Sequence, residues 1–405
     1  MLIISFKSAM EIVLYALLFL LAAAGLLLIL VKGYDYYLIK KEVLSRKGIG
    51  DFASFEEWKS AVRNKVLQWI AHMPAVQVSD NMRFVLLEKM SGKYSYNALQ
   101  AWQRGGLLLG LSYYLEERPE DKKASDAASY AIKELFDRKN DWKTVPGNID
   151  YGLLAYAVMR LPHYNNRLYY DGMKKVADLI TEHTGEDGTV FYRKAIANYR
   201  LVDTVGLICP FLIRFGTVYN KPELVDLALQ QIENYSAFGL HPSTGIPAHA
   251  YHIKNKVPLG IYGWGRGVGW YALGLIDSYE ELPQNHPRKE FLGKSIMLLA
   301  QSFIRFQRPD GGWGHSFFMD DNQFDSSVTA MLLYFIKKSL KHGIIGGDVY
   351  LKAIEKGMQK LKMSTRKDGT IDFSQGDTKG IGIYSTVFRE FPFTQGIALA
   401  VLMMP

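Results

Sequence analysis

The chain has 405 residues, of which 48% are hydrophobic and 22% charged, and its formal net charge is +8. This composition is typical of a globular protein. The single cysteine, Cys209, excludes an internal disulfide, the lysines and arginines form no nucleic-acid-binding motif, and no Cys/His cluster has zinc spacing. We therefore expect no nucleic-acid partner, metal or cofactor, whereas the positive charge suits a membrane or an anionic substrate.

The first predicted element is a membrane-spanning helix. Residues 12–31 follow a tail over residues 1–11 and contain neither a charge nor a proline. At about 1.5 Å per residue they span roughly 30 Å, the thickness of the hydrocarbon core of a bilayer. A cleaved signal peptide is the alternative because Ala22–Ala24 are small, but the apolar run continues for seven residues beyond them. We predict a single-pass N-terminal anchor.

After a polar linker over residues 32–52, residues 53–405 are predicted to form one helical domain. Twelve segments have apolar residues at helical spacing, and we place them at 54–72, 95–117, 121–138, 148–161, 166–184, 199–216, 221–236, 265–282, 288–307, 325–339, 347–362 and 390–404.

These segments alternate in character along the chain. The first and every second one after it are charged and amphipathic, which suits an outer layer with one wet face. The others are apolar nearly all round, as in 205–212, and recur every 51 to 66 residues, which suits an inner layer. Six inner and six outer helices predict an all-α fold, the (α/α)6 toroid.

Turn motifs recur between an outer helix and the next inner one. Asp187-Gly188, Asp310-Gly311 and Asp368-Gly369 are hairpin signals, and Ser243–Pro247 is a similar turn. We therefore expect these connections to carry short hairpins.

Parallel inner helices would bring their N-termini to one mouth. Asp150, Asp203, Arg266 and Asp325 lie at or near the predicted starts of four of them. Each aspartate alone has a simpler explanation, because Asp is a preferred helix cap. Together, and with the partial positive charge of helix N-termini, they favour a site for an anion.

The richest motif is WGRGVGW, Trp264–Trp270. Glycine permits close approach of the backbone, tryptophan offers a flat face for a sugar, and arginine offers a forked cation for a carboxylate. A glycine-rich turn with core tryptophans is the alternative.

Several of these segments resemble a known family, the unsaturated glucuronyl and unsaturated rhamnogalacturonyl hydrolases of glycoside hydrolase families 88 and 105. The resemblance is most specific over Trp264–Pro283 and covers about residues 90–405. Looser matches are Asn148–Asp150, Val202–Leu212, His249–Tyr251, Arg308–Trp313 and Asp325–Met331. The family has the (α/α)6 fold, which agrees with the count of helices.

The resemblance implies a substrate that ends in a 4,5-unsaturated uronic acid, and a mechanism in which an aspartic acid hydrates the double bond. Carried onto this chain, the acid/base is Asp203, and Asp150 is the second carboxylate, which would hold ring hydroxyls and raise the pKa of Asp203. The implied substrate-binding residues, including those that would hold the substrate carboxylate or stack on sugars, are His249, Arg266, Trp264, Trp270, Tyr151, Tyr251 and Trp313.

The sequence departs from the family at three positions. Val268 stands where the family usually has Asn, and Ile149 and Tyr151 stand where some members have His. Two alternatives therefore stay open. One is a catalytically altered, carbohydrate-binding toroid in a membrane polysaccharide assembly. The other is a different (α/α)6 glycosidase or a lyase, with Tyr151, His249 or Tyr251 as the base.

The orientation of the anchor also stays open. Lys7 precedes the apolar segment, and the basic residues that follow it closely are Lys32, Lys40, Lys41, Arg46 and Lys47. The positive-inside rule thus favours a cytoplasmic domain. A polysaccharide-degrading enzyme would more naturally face outward.

Overall fold

The computed structural model describes residues 2–76, 80–92, 100–319 and 323–405. Its contacts divide the chain into two compact units, one formed by residues 1–47 with 75–98 and the other by residues 48–74 with 99–405. The start of the helix predicted at 95–117 lies outside the described residues.

The first unit contains a long helix, α1 (Leu2–Ser45). Residues 8–45 are long and apolar enough to cross a membrane, by length and composition. The helix continues through much of the segment that the sequence analysis assigned to a polar linker. A short helix, α3 (Val85–Met90), contacts it. The carboxylate of Asp35 accepts hydrogen bonds from the amides of Phe84 and Val85, 2.7 and 2.9 Å long, and so caps α3.

The second unit contains twelve helices in its described residues. The outer ones are α2 (Phe55–Ala71), α5 (Lys122–Leu135), α7 (Tyr170–Glu182), α9 (Pro222–Phe238), α11 (Lys289–Phe306) and α13 (Asp348–Lys362). The inner ones are α4 (Ala101–Glu117), α6 (Tyr151–Met159), α8 (Asp203–Val218), α10 (Gly265–Glu281), α12 (Ser326–Lys341) and α14 (Pro392–Met403). Each matches one of the twelve predicted segments to within a few residues.

The inner helices form a closed ring. Each contacts the next one in chain order, and α14 contacts α4 to close the circle. Glycines allow this last contact, because a Cβ on Gly110 would lie 2.0 Å from the carbonyl oxygen of Gly396. The (α/α)6 toroid predicted from the sequence is therefore confirmed.

Hairpins join several outer helices to the next inner ones. In three of them, residues Gly185 and Thr189, Arg308 and Gly312, and Arg366 and Thr370 pair across three-residue turns. The last turn residue is a left-handed glycine, with φ of 72° at Gly188, as this turn requires. The predicted hairpins are confirmed, including the longer turn between His241 and Ile246.

Several short elements were not predicted from the sequence. A further hairpin pairs Asp137 with Asp141, and its left-handed residue is Asn140 rather than glycine, with φ of 61°. The predicted helix at 199 begins instead as a strand. There are two small antiparallel sheets. The first has three strands in the order β1 (Tyr199–Leu201), β2 (Ala248–His252) and β3 (Pro258–Tyr262), and the second pairs β4 (Ser374–Gln375) with β5 (Phe388–Arg389).

Candidate active site

A cavity of about 560 Å³ opens where the starts of inner helices meet. This volume is in the range of small-molecule sites. Inner helices contribute Trp102 from α4, Asp203 and Leu207 from α8, and Arg266 and Trp270 from α10. Residues between the helices complete the wall, namely Gln100, Tyr192, Arg193, Ala195, Ile196, Tyr199, Leu201, His249, Leu259 and the segment 377–381.

Asp203 is the first residue of α8. Within the described residues its Oδ2 atom is buried without a hydrogen-bond partner. Burial raises the pKa of Asp203 to about 7, the positive charge of Arg266 lowers it, and the negative charge of Asp377 raises it. The carboxyl is thus protonated in a substantial fraction of molecules near neutral pH.

The carboxylate that helps to raise the pKa of Asp203 is not the one expected from the sequence. The sequence analysis assigned the like charge to Asp150, whereas the carboxylate that acts on Asp203 is that of Asp377. Asp377 lies in the segment between β4 and β5 and lines the cavity. Its distance in sequence from both predicted aspartates hid this proximity.

His249, on β2, faces Asp203, with Nε2 lying 3.8 Å from Oδ2 of the carboxyl. The amide of Gly382 donates to Nδ1 over 3.3 Å, which places the ring proton of the neutral imidazole on Nε2. Burial, with the nearby charge of Arg266, lowers the pKa of His249 to about 4. The histidine is therefore a neutral donor that points at Asp203.

Asp150 precedes α6 and makes no capping hydrogen bond with its side chain. Asp150 is buried and does not line the cavity. Arg193 and Asp377 do line the cavity, and their charges act on the carboxyl of Asp150. Burial raises the pKa of Asp150 to about 6. Asp325 differs from both, because its carboxylate accepts from the amide of Ser327 over 2.8 Å and so caps α12.

Arg266 is buried beside the cavity, but its guanidinium is engaged by the protein. It donates to the carbonyl oxygens of Gln375 and Gly376 and to Oδ1 of Asp377, the last two over 2.8 and 3.4 Å. It also lies over the rings of Trp102 and Trp264. This arginine fastens the segment after β4 to the start of α10.

The predicted tryptophans take different positions. Trp270 lines the cavity and contacts the Trp102 ring edge-on, with 5.7 Å between centroids. Trp264 is buried behind His249, 4.6 Å from its ring, and donates to Gln375. Trp313 lies in the core, where its indole nitrogen donates to the carbonyl oxygen of Phe303.

The two predicted tyrosines lie outside the cavity wall. Tyr151 contacts Trp142 edge-on, and Tyr251 packs on Tyr235 and Phe238. Val268 and Ile149, two of the departures from the family pattern, are fully buried and do not line the cavity either. These departures from the family therefore do not alter the cavity wall directly.

Several cationic and aromatic residues of the cavity, most of them in loops, were not predicted from the sequence. Arg193 and Lys379 bring positive charge to the cavity, and Tyr192 and Trp102 bring rings. One signal was available, since Gly376–Gly382 reads GDTKGIG, a glycine-rich segment with charges. Within the described ranges, no three His, Cys, Asp or Glu side chains are grouped as metal ligands would be.

Comparisons with known proteins agree with this fold and identify the family. Residues 69–402 match the model of Glycosyl Hydrolase Family 88. The unsaturated rhamnogalacturonyl hydrolase YesR of Bacillus subtilis is 24% identical over 208 residues, which are 49% of this chain and 58% of that protein. The match thus spans little more than half the length of that relative.

Solved structures share the fold at low identity. A possible member of the GH105 family from Klebsiella pneumoniae superposes with a TM-score of 0.73 and 18% identity, covering 87% of this chain and 93% of that one. The unsaturated glucuronyl hydrolase of Bacillus sp. GL1 superposes with a TM-score of 0.63 and 15% identity, covering 86% and 96%. With most of the chain matched by the family model, this protein belongs to glycosyl hydrolase family 88.

Proposed function

We propose that this protein hydrolyses oligosaccharides that end in a 4,5-unsaturated uronic acid, and that Asp203 is the acid. The observation that carries the proposal is a carboxyl in the cavity whose pKa is raised to about 7 by burial and which faces a neutral histidine. A general acid works best when its pKa lies near the working pH. The names of the relatives, which are hydrolases of unsaturated uronyl sugars, support the same substrate class.

The proposed reaction adds water across a vinyl ether. The proton of Asp203 moves to C4 of the double bond, and positive charge develops at C5. The carboxylate left behind takes a proton from a water molecule as that water attacks C5, which restores the acid. The resulting hemiketal opens when the bond between C5 and the ring oxygen breaks; the hydroxyl proton passes to that oxygen, which leaves a ketone at C5 and a hemiacetal at C1. The hemiacetal then collapses to an aldehyde, its hydroxyl proton passes to the glycosidic oxygen, and the next sugar of the chain is released.

The residues around Asp203 suit this sequence of steps. His249 stays neutral, so its Nε2 proton can be donated to a substrate oxygen without adding positive charge beside the developing cation at C5. Asp150 does not line the cavity, but its Oδ1 is buried without a hydrogen-bond partner in the described part of the chain. We propose that this atom accepts from a ring hydroxyl when the substrate is bound.

The substrate carboxylate needs a cation, and the structure favours different residues from the predicted Arg266. Arg193 and Lys379 both line the cavity and carry positive charge. The guanidinium of Arg266 binds backbone oxygens and Asp377. We assign the carboxylate to Arg193 and Lys379. Trp102, Trp270 and Tyr192 offer faces and edges for the sugar rings.

The test uses the ultraviolet absorbance of the conjugated double bond. The full chain in detergent is mixed with a panel of disaccharides made by polysaccharide lyases. We expect the absorbance to fall with at least one of them, and Asp203→Asn to stop the fall. Asp226→Asn, the same change on an exposed side chain of α9, is the matched control and keeps the rate. A folded protein that changes none of the panel contradicts the proposal.

We also propose that α1 holds the enzyme at a membrane. The helix is unbroken through Ala22–Ala24, and residues 12–31 carry no charge. Insertion would bury about 30 Å of apolar helix in lipid. We expect the full chain to stay in the membrane fraction after an alkaline carbonate wash. Release of a chain cut after Ala24 would show a signal sequence instead. Protease accessibility of residues 48–74 in sealed vesicles would show on which side of the membrane the domain lies.

A further inference from the structure

The segment after β4 crosses the mouth of the toroid between two opposite inner helices. In the ring, α4 and α10 are separated by two helices on either side. Oδ2 of Asp377 accepts a hydrogen bond from Nε2 of Gln100, 3.0 Å long, just before α4 begins. Oδ1 accepts from Nη2 of Arg266 over 3.4 Å, at the start of α10. A single carboxylate thus connects the two sides of the cavity.

This carboxylate also opposes the charge of Arg266, the cation among the described residues whose charge acts on Asp203. The other titratable groups that face Asp203 are His249, Tyr192, Tyr235 and Tyr384. Burial lowers the pKa of the histidine and raises the pKa of each tyrosine, so all four are neutral near pH 7. Arg193 and Lys379 also line the cavity, but among the described residues the charges that act on Asp203 are those of Arg266 and Asp377, and they oppose each other.

We propose that Asp377 is a positioning residue of the active site, which fixes Arg266 across the mouth and neutralises its charge beside Asp203. Without this carboxylate, the guanidinium would stabilise the ionised form of Asp203 and so remove the proton that the reaction requires. The same ion pair, with the two carbonyl contacts of Arg266, holds the segment that carries Lys379 at the cavity.

The first test needs no substrate and therefore does not depend on the proposed function. The full chain in detergent is titrated in an infrared cell, and the C=O band of protonated Asp203 is assigned by its loss in Asp203→Asn. We expect Asp377→Asn to lower the pH midpoint of this band by about one unit. Glu390→Gln, which removes a charge from the same C-terminal region but pairs with Arg366 over 2.9 Å, should leave the midpoint in place.

Two further variants separate charge from packing. Asp377→Ser is a smaller neutral residue that can still accept from Gln100, and it should lower the midpoint as Asn does. Asp377→Glu keeps the charge and should keep the midpoint near that of the wild type. An unchanged midpoint in both folded neutral variants would overturn the proposal.

The second test rests on the proposed function. Where the wild type is active, the loss of kcat/KM at high pH should begin at lower pH in Asp377→Asn, by the same interval as the infrared midpoint. A shift of the band in a protein without measurable turnover supports the role of Asp377 and contradicts the proposed reaction. A lower rate with an unmoved pH profile would instead indicate a purely structural role.

Discussion

Nε2 of His249 lies 3.8 Å from Oδ2 of Asp203. This separation is too long for a hydrogen bond, so the imidazole does not tie up the carboxyl. Near neutral pH, a neutral imidazole, whose pKa is lowered to about 4, thus faces a carboxyl that is protonated in a substantial fraction of molecules because its pKa is raised to about 7. The pairing keeps a transferable proton on Asp203 without placing a positive charge next to it.

The first prediction concerns activity and its dependence on pH. The proposed reaction requires Asp203 to be protonated, so kcat/KM should fall as pH rises through about 7. The proposed hydrogen bond from a ring hydroxyl to Asp150 is strongest when Asp150 is ionised, so kcat/KM should also fall as pH drops through about 6. We expect a narrow bell-shaped profile in steady-state assays. A rate that stays constant above pH 8 would contradict the role of Asp203.

The second prediction is that Asp203→Asn lowers turnover by at least about 10²-fold while stabilising the fold at neutral pH. The folded pKa of Asp203, about 7, exceeds the unfolded value, 3.8. The folded state therefore binds more protons between these values, and the free energy of unfolding falls as pH rises through this window.

The side-chain amide of Asp203→Asn has no charge to bury, so the variant should be more stable than the wild type above pH 7. The gain in the free energy of unfolding should reach up to a few kcal/mol, which is the free energy that corresponds to the pKa difference. Urea unfolding at pH 5 and pH 8 measures the effect. The gain should be larger at pH 8. An equal gain at both values would mean that the raised pKa is not its cause.

The third prediction tests the closure of the ring. A Cβ on Gly396 would lie 2.0 Å from the carbonyl oxygen of Gly106, so Gly396→Ala must push α4 and α14 apart. We expect it to lower the free energy of unfolding by about 1–3 kcal/mol. Gly293→Ala in α11 is the control, since its nearest neighbour would be 3.7 Å away, and it should stabilise by about 0.5–1 kcal/mol. Denaturant titrations compare the two.

The fourth prediction concerns the buried ion pair at the ends of α10 and α12. Lys338 donates to Asp277 and Glu280, and both Lys338 and Asp277 are shielded from solvent. Lys338→Met should cost about 3–5 kcal/mol, because it leaves a buried carboxylate unpaired. Adding Asp277→Leu should recover part of this loss. A double variant as unstable as the sum of both single changes would show that the two residues do not interact.

The helical repeat could be predicted from local pattern alone. Amphipathic segments such as Lys122–Leu135 and apolar ones such as Tyr151–Met159 alternate because one layer faces water and the other does not. The Asp-Gly turns could also be predicted, since the left-handed position of such a turn favours glycine. Where Asn140 took that place, the hairpin was missed.

The candidate site was likewise predicted only in part. Asp150, Asp203 and Arg266 lie at helix starts, and their meeting followed from the parallel inner helices. What each does there did not follow. Trp313 belongs to the core, and Arg266 binds the protein's own backbone.

The sequence by itself determined that the chain forms an (α/α)6 toroid, which residues begin its inner helices, and that a long apolar helix precedes it. These are consequences of periodicity, which acts over neighbouring residues. Only the tertiary structure decided that Asp377, rather than Asp150, is the carboxylate that acts on Asp203, and that Arg193 and Lys379 face the cavity. Such electrostatic relations depend on distances between residues far apart in the chain, and these distances are fixed only when the ring closes.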